Sequence, residues 1–505
     1  MRTADLSAPN GIFDTPMNFL KIIIEHIGDI MIKSSEWSWE GVRESIFAPW
    51  PLLMLAAGIA LVAGMALGVF KASLAVVIVG GLFMVILVTL RREEVVAVVI
   101  IAVHLYVDWY LAQAGVALIM AFALLMVCFF AQSPRRPWTE PRGLALWAAF
   151  LILAIFPAIQ GALTVHDTLI YYPNIVFGAF IIYWLGTVIA RDTAHIRRLF
   201  QLLSIIAVLV AVHTILQNVT GKFLFGDASV DAYLAGTSNR LLDANLAASR
   251  SGSFFIDPNW NGTFFAVMLF LPLGLFVESA SFLKKFFYLA EMLLILPALL
   301  FTYSNGAWIA VCCGLVIFLV FAGRTRDRFQ SAFFIVIAVL AMVTLFPGQI
   351  ALQLQHAMQS DDRVGAWMTA LRIIYAFPLT GIGMGHRAYL LRSEPYRALA
   401  QDVPLDHPHN SYLEWGAMAG LPVLLTFVAL LTFTLWLALR NWARADAGSR
   451  TLLGAGIAAV MTLTINSWTI NGWTFPTLAA LGWLLLGCLS SPLLAKNRAS
   501  QAEQC

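Results

Sequence analysis

The chain has 505 residues, 60% of them hydrophobic and only 12% charged, and its mean hydropathy is +0.82. A water-soluble fold cannot hide that much apolar surface, so the soluble classes are excluded and a polytopic membrane protein is expected. The net charge of +3 is small and points to no nucleic-acid partner; where the charges lie along the chain decides more.

The first 48 residues read as a cytoplasmic segment, 1–48, with one amphipathic helix. Leu20, Ile24, Ile27 and Met31 line one face of it, while Lys21, Glu25 and Asp29 lie elsewhere. The chain does not open on a basic region followed by an apolar core and a small-residue cleavage site, so no cleaved signal peptide is expected. Apolar runs long enough to cross a bilayer follow at about fourteen places. They fall near 50–70, 72–90, 94–111, 113–131, 143–162, 170–190 and 198–217, then near 259–277, 286–302, 306–323, 330–347, 414–439, 451–470 and 473–491. The expected fold is all-α: an integral membrane protein with one bundle over 49–218, a second over 259–347, last helices over 414–491 and a cytoplasmic tail over 492–505. Two long loops, 219–258 and 348–413, separate these parts. Cys128, Cys312, Cys313 and Cys488 lie in apolar runs and Cys505 is the last residue, so neither a disulfide framework nor a metal-ligand spacing is visible. The absence of an obvious internal repeat weakens the case for an inverted-repeat transporter.

Basic residues test this order of spans. Arg91 and Arg92, Arg135 and Arg136, Arg191 with Arg197 and Arg198, and Lys284 and Lys285 fall in alternate connections. So do Arg324, Arg326 and Arg328, then Arg440, Arg444 and Arg450, then Lys496 and Arg498. The positive-inside bias puts all of them in the cytoplasm, with both termini, and puts the two long loops on the opposite, periplasmic face. Loops of roughly 40 and 65 residues are longer than spacers need to be. In the second, Val364, Trp367, Leu371 and Ile374 share one face of a predicted helix over 363–377 that lies against the membrane.

That second loop carries the chemistry. Glycines at Gly381, Gly383 and Gly385 allow positive φ and close backbone approach, so their N–H groups can meet an anion; the bland alternative is a tight turn after the helix. Arg363, Arg387 and Arg392 here, with Arg240 and Arg250 in the first loop, are natural pyrophosphate partners because a guanidinium binds phosphate oxygens with two parallel bonds. Each taken alone is equally well a solvated or headgroup-facing charge. Arg250 leads RSGSFFIDPNWNG into the eighth span. Within the spans, His104 with Asp108, His213 and Glu291 are costly ionisable groups, best accounted for as polar pairs between helices in the first three cases.

The segment Asp406-His407-Pro408-His409-Asn410-Ser411-Tyr412-Leu413-Glu414 is the most informative. Two histidines two positions apart, flanked by carboxylates at a membrane boundary, can take or give a proton near neutral pH. Surface histidines at a helix start are the alternative. It loses weight because the glycine turn, Arg363 and the histidines share one loop.

Together these motifs resemble the O-antigen ligase and O-antigen polymerase superfamily of bacterial inner-membrane proteins. The resemblance covers about Leu241 to Val423. It rests on Arg250 to Asn259, on Arg363 and Trp367, on Pro378 to Gly385, and on the His-x-His-Asn-Ser-Tyr-Leu-Glu run at His407 to Glu414. It implies a GT-C-like fold that transfers a glycan from undecaprenyl pyrophosphate to a sugar hydroxyl, on lipid A–core or on another lipid-linked repeat, at the periplasmic face. It implies no cofactor and no metal; membrane lipids are the other partner. Arg250 and Arg363 are the expected pyrophosphate ligands, with Arg240, Arg387, Asn305, Asn410 and the three glycines as further substrate contacts. His409 is the expected base and His407 its secondary or orienting neighbour. The chain departs from the family at Ser304-Asn305-Gly306-Ala307, where Asn305 replaces an arginine, and at Gly420-Leu421-Pro422-Val423, where a ligase-like Gly-x-x-Gly is lost. Both favour a polymerase over a strict ligase. The competing classes are a transporter or flippase of lipid-linked glycans and a non-catalytic scaffold.

Overall fold

The computed structural model describes residues 93–110, 116–130, 138–165, 171–220, 250–255, 257–323, 325–351, 363–399, 401 and 404–494. The amphipathic segment expected within 1–48, the spans at 50–70 and 72–90, most of the first long loop with Arg240, and the tail beyond 494 lie outside the described residues.

Each of the twelve expected spans from 94–111 onward falls on helix, and no strand occurs among the described residues. The helices are α1 (Glu93–Tyr110), α2 (Val116–Phe130), α3 (Leu144–Leu153), α4 (Ile155–Thr164), α5 (Gly178–Ile189) and α6 (Thr193–Thr220). After the first long loop come α7 (Pro258–Met268), α8 (Phe270–Glu278), α9 (Phe282–Leu300), α10 (Asn305–Phe321) and α11 (Thr325–Leu345). The second loop holds α12 (Arg363–Ala376) and α13 (His386–Ser393), and the chain continues through α14 (Ser411–Ala419), α15 (Leu421–Ala443), α16 (Ala447–Asn466) and α17 (Pro476–Ser490). Among the described residues, six stretches are both long and apolar enough to cross a membrane: Leu144–Thr164, Tyr172–Ile189, Thr193–Thr220, Pro258–Glu278, Leu421–Ala443 and Ala447–Asn466. A polytopic membrane protein is the architecture these features support. On α6, Ile205, Leu209, Val212, Leu216 and Val219 form an exposed apolar stripe at helical spacing, which suits lipid and not water.

The core is held by small residues and aromatics. At Gly186 on α5 an added Cβ would lie 2.6 Å from the Leu484 carbonyl of α17, so only glycine lets the two backbones meet. Beside that seam, Trp147 and Trp473 pack on Trp483 with ring centroids 4.9 and 5.1 Å away.

Two boundaries differ from expectation. The span expected at 414–439 is two helices, because Gly420 turns the chain at φ 84 and a new helix begins at Leu421 with Pro422 in its first turn. Residues before Gly420 therefore belong to the site and not to the span. Helix α12 exists where predicted, but its protein-facing side is Ala366, Thr369, Ala370 and Ile373, packed toward α14. Val364 and Leu371 are exposed, while Trp367 and Ile374 are half-buried. Small side chains allow the close approach, so they and not the larger apolar residues take the inner face.

The bundle has two chemically distinct ends. At one, Arg191 pairs with Glu93 at 2.9 Å, Arg198 with Glu94 at 3.2 Å and Arg197 with Glu278 at 2.6 Å. These join the starts of α1 and α6 to the end of α8. At the far end of α6, some 40 Å away by its 28 residues, Gln217 accepts from the Ser253 N–H at 2.8 Å and His213 meets the Ser253 hydroxyl at 2.8 Å. The histidine loop is at this second end.

Candidate active site

The site is built on α14. Asn410, its N-cap, accepts from the Tyr412 and Leu413 N–H groups at 3.0 and 3.1 Å and donates its amide to the Trp468 carbonyl at 3.0 Å. Ser411 donates its N–H to the Ser467 carbonyl at 2.9 Å and accepts from Trp473 N–H at 2.9 Å. Tyr412 reaches the Thr464 carbonyl at 2.8 Å. The Asn-Ser-Tyr part of the motif thus docks α14 on the connection between α16 and α17. Asn410, expected as a substrate contact, is buried and engaged at both ends of its side chain by this docking.

That anchor fixes the residue before it. His409 adopts φ 50, a left-handed conformation that a non-glycine residue holds only when its surroundings impose it, and such strain gathers at functional sites. His409 Nδ1 lies 3.1 Å from His407 Nε2, and His407 Nδ1 lies 2.6 Å from Asp406 Oδ1. Asp406, His407 and His409 form one hydrogen-bonded line, with His407 buried and Asp406 half exposed.

A second line meets it. Glu414, fully buried on α14, accepts from the Tyr171 hydroxyl at 2.9 Å and the Thr474 hydroxyl at 2.7 Å, and meets His386 Nε2 at 3.0 Å. His386 stacks on His407 with centroids 5.0 Å apart and planes 25° apart. Tyr171 directly precedes the π-helical turn Tyr172–Phe177, a rare geometry that recurs at functional sites. On another side, Trp260 of α7 lies 6.5 Å from His407 and donates to Asn471 at 2.6 Å.

Four N–H groups of the glycine run are already paired with backbone carbonyls, which counts against an anion cradle. The N–H groups of Gly381, Ile382, Gly383 and Met384 donate to the carbonyls of Phe377, Ala417, Met418 and Pro157 at 2.9–3.0 Å. Gly381, Gly383 and Gly385 all have positive φ, and a Cβ on Gly383 would meet the Gly161 nitrogen of α4 at 2.8 Å. The run is a wedge between α4 and α14 that delivers His386, the residue after Gly385, to Glu414. Arg392 closes the turn by donating to the Ile382 carbonyl at 2.8 Å.

The arginines divide. Arg363 opens α12, half-buried, close enough for its charge to act on His409. Arg250 donates Nε to the Thr302 carbonyl at 3.2 Å and Nη2 to Asn259 Oδ1 at 3.0 Å. Thr302 lies three residues before α10 begins at Asn305, so Arg250 ties the start of α7 to the turn that leads into α10. Arg387 follows His386 on α13 and is exposed. His213 is the structural pair partner it was expected to be, held by Ser253 and stacked on Phe254 at 4.3 Å. The side chain of Asp108 lies outside the described residues.

Charge in the line settles on His407. Burial lowers its proton affinity, but the Asp406 carboxylate, with Glu414 and Asp257 behind it, overrides this and lifts its pKa to about 9. Burial, then the charges of His407 and Arg363, hold His409 well below the usual imidazole value. Burial would raise Asp406, yet His407, His386 and His409 keep it below the ordinary carboxylate range, tempered by its half-exposed side chain. His386, Asp406 and His407 bring one ligand atom each within 4.8 Å, near enough to share a cation. In the geometry found, Asp406 and His407 share a 2.6 Å hydrogen bond, whose proton a cation held by the same two groups would displace.

These features define a polytopic helical membrane protein with a histidine–carboxylate site at one end of its bundle. Residues 290–428 match the family model described as O-antigen ligase, which supports placing the chain in the O-antigen ligase and polymerase superfamily and a glycosyl-transferring function of that general kind. Compared with curated proteins, the chain matches none. The matched segment contains the relay, His386, Glu414, Arg363 and Asn305, while Arg250, Trp260, Tyr171 and Thr474 lie outside it. His386 and Tyr171 were not singled out in the sequence. A histidine directly after a Gly-x-Gly-x-Gly, in the same loop as His407 and His409, was the available signal for the first; nothing local marks the second.

Proposed function

We propose that this protein transfers a glycan from undecaprenyl pyrophosphate to a sugar hydroxyl at the periplasmic face of the bacterial inner membrane, as an O-antigen or exopolysaccharide polymerase or ligase that needs no metal. The carrying observation is the Asp406–His407–His409 line, ending on a strained histidine inside the family match. About fourteen spans in a GT-C-like arrangement, with both termini cytoplasmic, fit the alternating basic connections.

When each imidazole carries one proton, Asp406 fixes that of His407 on Nδ1. His407 Nε2 then accepts from His409 Nδ1–H, leaving His409 Nε2 as the base. The acceptor hydroxyl oxygen attacks the anomeric carbon, its proton goes to His409 Nε2, and the bond from that carbon to the pyrophosphate oxygen breaks. The proton on His409 Nδ1 moves to His407, where Asp406 stabilises the charge. Undecaprenyl pyrophosphate leaves as an anion beside Arg363 and Arg250, the latter set near the N-terminus of α10, where the helix dipole compensates in part for Asn305. Arg387 and Arg240 are further donor contacts. His409→Ala removes the base; with a synthetic undecaprenyl-pyrophosphate-linked oligosaccharide, transfer by the inserted protein should fall about 10²–10⁴-fold. Near-normal turnover in this variant would refute the enzyme reading.

A further inference from the structure

Glu414 is a buried carboxylate that the transfer step does not use. It is held by donors from three separate elements: Tyr171 before α5, Thr474 between α16 and α17, and His386 at the start of α13. A carboxylate in the first turn of a helix is favourably placed, but burial without solvent needs every one of these partners. Of the three, His386 is the one in direct contact with the relay. His386 lies face to face with His407, and its Nδ1 is 4.0 Å from Asp406 Oδ2.

We propose that His386 and Glu414 are a positioning pair for the relay: Glu414 clamps His386 through Nε2, and the His386 ring fixes the plane of His407 so that its two nitrogens aim at Asp406 and His409. The pair touches no substrate. This inference rests on the reading of the relay as the base of glycosyl transfer. The charged and titratable groups around His407 are Asp406 and His409 on its own loop, His386 on α13, Glu414 on α14 and Asp257 before α7, with Arg363 of α12 acting on His409. Glu414 is among those that hold a proton on His407, so neutralising it should let the pair release that proton at lower pH.

Two readouts test this. One is the rate at which diethyl pyrocarbonate modifies His409 across pH, followed by peptide mass spectrometry, which needs no substrate. The other is the pH profile of transfer from a synthetic undecaprenyl-pyrophosphate-linked trisaccharide. In Glu414→Gln both midpoints should move down by about half a unit or more, and kcat should fall about tenfold while KM for the donor stays within about twofold. His386→Phe keeps a ring but loses the bond to Glu414, and His386 is partly exposed, so this variant tests the pair even if Glu414→Gln does not fold. His386→Gln retains a donor and should keep more activity than His386→Phe. Unchanged midpoints in the folded variants, with activity tracking only the amount of folded protein, would show the pair to be merely structural. His409→Ala separates the two ideas. If it is dead while the pair variants keep the wild-type profile, only the positioning inference falls; if it transfers normally, the base reading itself fails.

Discussion

Asp406→Asn is the most discriminating single change in the relay. Asp406 sets the tautomer of His407 through a 2.6 Å bond and supplies the largest upward pull on its pKa, which stands at about 9 against an ordinary 6.5. Losing that pull removes up to about 3 kcal/mol of stabilisation from the proton-loaded form, less what half-exposure of the carboxylate already screens. If about half is felt in the transition state, kcat falls by about tenfold. An amide that can also donate lets His407 take the wrong tautomer, which enlarges the loss. The effect is still bounded by that of His409→Ala, because His409 remains. The pH dependence carries the sign. The base-competent form has one proton fewer than the cationic pair, so wild-type transfer should rise with pH through a midpoint displaced above 6.5 toward 9. In Asp406→Asn that midpoint should move down, so the variant reaches its own lower maximum at less alkaline pH. The assay is initial-rate transfer over pH 5.5–9.5 with protein quantified in the membrane. An unmoved midpoint would refute the assignment of Asp406 as the charge partner, whatever happened to the maximum rate.

Arg363→Lys keeps the charge but loses the two-pronged geometry, so transfer should fall while insertion is normal; Arg250→Lys should also lower thermal stability, because lysine cannot span both Thr302 and Asn259. Full-rate transfer in both would remove the pyrophosphate role. Single cysteines at Leu399 and Lys284, both exposed, should react with a membrane-impermeant thiol reagent from opposite faces, Leu399 from outside; labelling both from one face would overturn the topology. Folded His407 holds its proton more tightly than the unfolded chain does. Its contribution to stability is therefore full below about pH 6.5 and lost as pH rises through about 9, so the melting temperature should drop across that window, and drop less in Asp406→Asn.

Hydropathy made the helices legible because a span must satisfy its backbone within itself, and all twelve expected segments among the described residues are helical. It could not show that Gly420 cuts the last of the loop away from α15, since Glu414 to Ala419 are apolar enough to read as membrane. Burial there is inside protein, against the α16–α17 connection, and hydropathy does not distinguish protein from lipid. The same blindness explains the glycines. Their spacing correctly announced unusual backbone, but whether freed N–H groups meet an anion or a neighbouring carbonyl depends on what packs against the turn, and here α4 and α14 supply the carbonyls.

The histidine motif was read as one functional unit and is two. Asn410, Ser411 and Tyr412 are helix-docking residues, and the proposed proton handling falls to the groups on either side of them. Asn410 caps α14 and anchors it to Trp468, which forces His409 into its left-handed turn and sets its ring against His407. One helical turn further on, Glu414 is buried on the same anchored helix and reaches, through His386, a face of the same His407 ring. A short rigid helix thus controls both edges of the relay. Helix α14 is cut off from α15 by Gly420 and is fixed by side-chain bonds to residues 464–474, so the relay geometry follows the ends of α16 and α17 and not the lipid-facing body of α15. Substitutions within 464–474 that loosen this dock should therefore reduce transfer without touching a histidine.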